Sequence, residues 1–181
     1  MNQNIQSILN FWFIDATPQQ WWQKDLEFDR LIQQKFGHLH QQATQCELYR
    51  WRQTAKGRLA EIIILDQFSR NIYRDTSNAF AADTMALTLA QQAIALQMDQ
   101  QLDAEQRLFM YMPFMHSESQ QIHKVAVALF TALGLEQNLQ YELQHKAIID
   151  RFGRYPHRNK ILGRQSTSEE IEFLTEPNSG F

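Results

Sequence analysis

An all-α fold follows from three features of this 181-residue sequence. Apolar residues recur at spacings of three and four, the repeat of a helix face. No stretch alternates polar and apolar residues long enough to specify a strand. Only six glycines and four prolines interrupt the chain, so helices with short connections account for most of it. No linker divides the sequence and no internal repeat is visible. Residues 1–181 are therefore expected to form one domain of about eight or nine helices.

The elements run in order along the chain. Residues 4–13 read as a short helix ending at Phe11-Trp12-Phe13. Asp15-Ala16-Thr17-Pro18 is a break, with Pro18 in the first turn of the next helix. That helix is expected from Gln19 to His40, burying Trp22, Leu26, Ile32 and Phe36, with Gly37 interrupting or ending it. Residues 43–53 read as a further short helix. Gly57 precedes a strongly apolar segment, LAEIIILDQF. Asn78 is placed to cap the next helix, whose face is Phe80, Leu87, Ala90 and Ile94. Asp103 and Gln106 have capping-box spacing, and the helix they begin meets Pro113, which should kink or end it. Ile122, Val125, Ala126, Leu129, Phe130 and Leu133 form the clearest amphipathic pattern, and Gly134 supplies its stop. Another helix spans about 136–152 and ends at Gly153. After a loop with Pro156, Glu169–Leu174 forms a last turn capped by Thr167 or Ser168.

Composition excludes several classes. Hydrophobic residues are 44% of the chain and aromatics 12%, enough for a sizeable core. A net charge of −3 and a pI near 6.1 argue against nucleic-acid binding by bulk charge. The single cysteine, Cys46, rules out an internal disulfide and a cysteine-based zinc site. MNQNIQSILNFWF has neither the basic region nor the apolar run of a signal peptide, and no segment is long enough to span a bilayer. A cytoplasmic protein without cofactor or metal is expected. Trp12, Trp21 or Trp51, if exposed, would support a homodimer.

Polar residues on apolar faces are the functional clues. Leu59, Ile62, Ile63, Asp66 and Arg70 share one sector of a helix that is apolar nearly all round. A buried Asp66 needs a cation, and Arg70 stands four residues on. The pair is either a structural ion pair or a device that orients Arg70 toward a ligand. Asp83 is a second acid on an inward face. His116 and Glu118 flank a helix boundary, where they form either an acid/base pair or a capped helix start. Glu-x-x-His occurs once, at Glu142 and His145, whereas a di-iron bundle needs two such motifs. HExxH, GxGxxG, Walker A and GxSxG motifs are absent. Residues 151–164, RFGRYPHRNKILGR, hold four arginines, a lysine and a histidine with no acid. Helix C-termini favour cations, which accounts for Arg151 and Arg154 but not for His157, Arg158 and Asn159. The segment suits an anionic ligand, buried carboxylates elsewhere in the chain, or a solvated loop.

LDQFSRNIYRD at 65–75, AFAAD at 79–83, YMPFMHSE at 111–118 and RFGRYPHRNKILGR together resemble a bacterial family of unknown function, numbered 924 among such domains. The resemblance extends from the early FWF to the final EEIEFL. It implies a TPR-like stack of antiparallel helix pairs, and it supplies no reaction. The family's signature positions correspond to Asp66, Gln67, Arg70, Asn71, Arg74, Asp83, His116, Glu118, Arg151, Arg154, His157, Arg158 and Asn159. Asp66, Arg70, Asn71, Arg74, Arg151, Arg154, Arg158 and Asn159 are thus the candidate ligand-binding residues. His116, Glu118 and His157 are the candidate proton carriers. The expected partner is an anionic small molecule, or an acidic peptide if the fold serves as an interaction module.

Overall fold

The computed structural model describes residues 2–177 and 179–180, and every regular element among them is helical. The contacts gather into two compact units, one of residues 1–74 and 78–113 and one of residues 75–77 and 114–181.

In the first unit, α1 (Gln3–Asn10) runs directly into a π-helical turn, Phe11–Asp15. The helix expected over 19–40 is two helices, α2 (Pro18–Trp22) and α3 (Leu26–Thr44). The break arises at Asp25, whose carboxylate accepts the Glu27 and Phe28 N–H groups and so starts a new helix. Gly37 does not stop α3, which continues for seven more residues to Thr44. Ile32 and Phe36 are buried as expected, but Trp22 and Leu26 are exposed. Residues 43–53 do not form an α-helix: α3 ends at Thr44, Cys46 takes a left-handed φ of 60°, and Tyr49–Gln53 is a 3-10 turn.

The apolar segment is α4 (Ala55–Ile63), a second π turn at Ile64–Phe68, and α5 (Ser69–Ile72), all in one continuous run. Gly57 sits in the first turn of α4 against the preceding 3-10 turn. A Cβ there would lie 2.0 Å from the Trp51 carbonyl oxygen. Alanine would gain about 1 kcal/mol of helix propensity, but backbone cannot yield as a side-chain tip can. Gly57→Ala is expected to destabilise by a net ~1–3 kcal/mol, read from the urea midpoint.

Asn78 does not cap the next helix. It lies inside a 3-10 turn, Ser77–Phe80, and α6 begins later, at Asp83, and runs to Ala95. The buried face of α6 is Ala86, Leu89, Ala90 and Ala93, so Leu87 and Ile94 sit at its margin. In α7 (Ala104–Met115) the Gln106 N–H donates to Asp103, and Pro113 stands inside the helix, two residues before its end. The core of this unit is aromatic. Phe36 stacks on Phe68 with centroids 5.2 Å apart, and Trp12 meets Phe109 edge-on at 5.5 Å. Trp12 and Trp51 are both buried, so neither offers surface for a dimer; Trp22 is the exposed tryptophan ring, at 52%.

The second unit is built on a hairpin of α8 (Gln120–Leu133) and α9 (Glu136–Phe152). Gly134 and Gly153 end these helices in the left-handed conformation, with φ of 76° and 68°. α10 (Ser168–Phe173) starts with a full capping box: the Glu170 N–H donates to Thr167, and the Thr167 N–H donates back to the Glu170 carboxylate. Ile148, Ile149, Tyr155 and Phe173 form a core cluster here, with Phe152 packed against it. Among the described residues, no helix is long and apolar enough to cross a membrane.

Candidate functional site

The candidate ligand-binding residues fall four in each unit. In the first, Asp66 is fully buried in the π turn of the α4–α5 run. Its Oδ2 accepts from the Gln67 amide at 2.6 Å. Arg70, one turn on, donates to the Asp66 carbonyl at 2.6 Å and more weakly to its carboxylate at 3.3 Å. Its main partner is Asp83, at the start of α6, gripped by both Nη atoms at 3.0 Å. The guanidinium also lies over the Phe80 ring, 5.6 Å from its centroid.

Asn71 and Arg74 converge on Asp29 of α3. Arg74 donates through Nε at 2.5 Å and Nη2 at 2.7 Å, and the Asn71 amide adds a bond at 2.8 Å. The sequence reading overlooked Asp29, although a signal was present. It precedes Ile32 and Phe36 by three and seven residues, so it is a lone acid on the buried face of α3.

In the second unit, Arg154 forms a bidentate pair with Glu170 at 2.6 and 2.9 Å and also donates to the Gln165 carbonyl. Asn159 donates to the same Glu170 and to Ser166. Arg154 leads the forces that hold the Glu170 carboxyl down at about 2. Arg151, more exposed, pairs with Glu169 and lies over the Phe152 ring at 4.7 Å. Arg158 is buried, with its guanidinium 4.5 Å from the Tyr155 ring centroid.

Glu118 is fully engaged. Arg164 grips both of its oxygens, at 2.5 and 2.9 Å, and the Tyr155 N–H donates to Oε1 at 2.7 Å. Burial pushes the Glu118 carboxyl up, but Arg164 and the Tyr155 N–H outweigh it, and the group stays below the usual carboxylate range. Arg164 belongs to the basic stretch but not to the residues its sequence singles out. His116 and His157 are part-buried, and the His157 ring lies 5.5 Å from that of Tyr155.

Beside Tyr155 is a buried group that sequence reasoning missed. His123 Nδ1 meets Glu142 Oε1 at 2.8 Å, and both side chains are fully buried. His123 Nε2 faces the Ser117 carbonyl at 2.9 Å and the Tyr155 hydroxyl at 3.2 Å. Tyr155 commits its own proton to the Met115 carbonyl at 2.6 Å. Nε2 must therefore be the donor, and the remaining proton lies between Nδ1 and Glu142. Burial raises the Glu142 carboxyl, with His123 partly offsetting it. His145, one turn along α9, donates from Nδ1 to the Tyr141 carbonyl and is held neutral by burial, down to about 3. The single Glu-x-x-His motif thus points its two side chains at different partners. Among the described residues, no group of three or more histidines, cysteines or acids could hold a metal ion.

The family model for bacterial proteins of unknown function, DUF924, matches residues 8–178. A solved protein of unknown function from Agrobacterium tumefaciens is 38% identical. The match covers 96% of this chain and 97% of that one, with a TM-score of 0.91. A comparison with curated proteins finds no match.

Proposed function

The chain belongs to the DUF924 family of bacterial proteins of unknown function, and from that premise we propose that it is a helical interaction module whose arginine–carboxylate pairs are internal clamps. One observation carries this reading. The forks of Arg70, Arg74 and Arg154 are each filled by a carboxylate of their own unit, Asp83, Asp29 and Glu170. A guanidinium already gripped in this way has little left for a ligand's anion. Glu118, saturated and held below the usual range, is a poor general base at neutral pH. The work of the protein is then recognition of a peptide or protein, in keeping with a TPR-like stack. The lone cysteine, exposed and free, suits the cytoplasm.

A second reading keeps the anionic small molecule. Arg158, buried against Tyr155 and near the neutral His145, favours it. The two readings separate in one experiment. Random-peptide display is run on the purified protein, with a thermal-shift screen of carboxylate and phosphorylated metabolites on wild type, Arg154→Gln and Arg158→Gln. Saturable peptide binding, with no metabolite shift that depends on either arginine, is the expected result. A metabolite that stabilises wild type and not a folded Arg154→Gln or Arg158→Gln protein overturns the module reading.

A further inference from the structure

One buried arginine stands outside the clamps. Arg58 lies in the second turn of α4 and is 6% exposed. Its Nη1 donates to Gln92 Oε1 at 2.8 Å. Its Nε is buried and bonded to nothing among the described residues, and Nη2 has no hydrogen bond to them either. No carboxylate among the described residues forms an ion pair with it. The nearby acid, Glu61, is fully buried and already used: Arg52 takes both of its oxygens, at 2.7 and 2.6 Å.

Three costs therefore fall on one group. The Arg58 charge is nine-tenths buried, it sits near the positive end of a helix, and the Arg52 cation stands close by. Burial pulls its pKa down, and Arg52 adds to the effect. Yet a guanidinium does not give up its proton in a protein. The Arg52, Arg58 and Glu61 trio carries one uncompensated positive charge, and exposed Lys56 adds another in the same helical turn. Nε and Nη2 form the side-on edge of the fork, the edge that matches two oxygens of one oxyanion.

We propose that Arg58, through its Nε–Nη2 edge, is the recognition group of a phosphate-binding site at the start of α4. The phosphate stands where a carboxylate stands for the clamped arginines. Gln92 holds the guanidinium in orientation from α6, and the helix N-terminus reinforces the attraction. The site shares no residue with the arginine clamps and stands apart from the function proposed above.

The test compares wild type with Arg58→Met, which keeps the length and the apolar stem but removes the charge. In phosphate-free buffer the variant is expected to melt no lower than wild type, because a buried charge without a partner has been removed. Inorganic phosphate, titrated against chloride at constant ionic strength, should raise the wild-type melting temperature saturably. Arg58→Met should weaken that response by ~10-fold or more, and Arg154→Gln should leave it intact. Glycerol phosphate in a parallel arm distinguishes a phosphorylated metabolite from the free ion by the tighter of the two. An equal response in wild type and Arg58→Met overturns the proposal. So does no response in wild type, or a large loss of stability in Arg58→Met without phosphate.

Discussion

Asp29→Ala is expected to lower stability by about 3–5 kcal/mol, a fall of roughly 10 °C in melting temperature for a chain of this size. Asp29 is 7% exposed, and it holds Arg74 by both oxygens and Asn71 by one. Removing it strands a mostly buried guanidinium, and that penalty exceeds the loss of the hydrogen bonds themselves. Arg74 keeps about a quarter of its side-chain surface, which places the effect toward the lower end. Arg74→Met should cost less than Asp29→Ala, and the double variant should cost clearly less than the sum of the two. Equilibrium urea unfolding of the three proteins measures this coupling. Additive losses would mean that the pair contributes nothing beyond separate packing.

Acid should destabilise the protein at pH values well above the carboxylate range. His145 is held neutral down to about 3 in the folded chain against an ordinary 6.5. The unfolded chain therefore binds the proton first as pH falls. This contribution is fully present above pH 6.5, is lost as pH falls toward 3, and amounts to at most about 5 kcal/mol. Burial lowers His40 too, so it acts in the same direction. Glu142 opposes them, because its raised carboxyl gives a contribution that is lost as pH rises above its ordinary value. Glu118 and Glu170, both lowered, add their losses only below about 4.5. Between about pH 6.5 and 5, stability should drop by up to ~1.4 kcal/mol per pH unit for each histidine so held. His145→Gln should remove one such increment, read from urea midpoints at about pH 7, 6 and 5. An unchanged slope in that variant would mean that the folded protein protonates His145 normally.

What the sequence made legible was local. Asp66 and Arg70 pair at four-residue spacing as expected, Gly134 and Gly153 end their helices, and Thr167 caps the last one. Each depends on atoms a few residues apart, and a period or a cap residue states it directly. Long-range choices were less visible. That Arg74 finds Asp29, 45 residues back, and Arg164 finds Glu118, 46 back, depends on how helices pack. The sequence shows only that charges on buried faces need partners. The helix boundaries that failed have local causes that pattern reading underweighted. The Asp25 cap divided one expected helix, and the 3-10 turn at Ser77–Phe80 delayed the start of α6. Arg58 escaped notice because an arginine in a helix is ordinary until its burial is known.

The π turn at Ile64–Phe68 also constrains how such a sequence can vary. A turn of this kind amounts to one surplus residue in an α-helix. If a single residue were deleted there, α4 and α5 would close into one regular helix, with everything beyond it rotated by about 100°. Arg70 would swing away from Asp83, and Asn71 and Arg74 from Asp29, in one step. Substitutions in this stretch can drift one at a time, but its length cannot. Between Gly57 and Arg74, spacing is a stricter inheritance than residue identity.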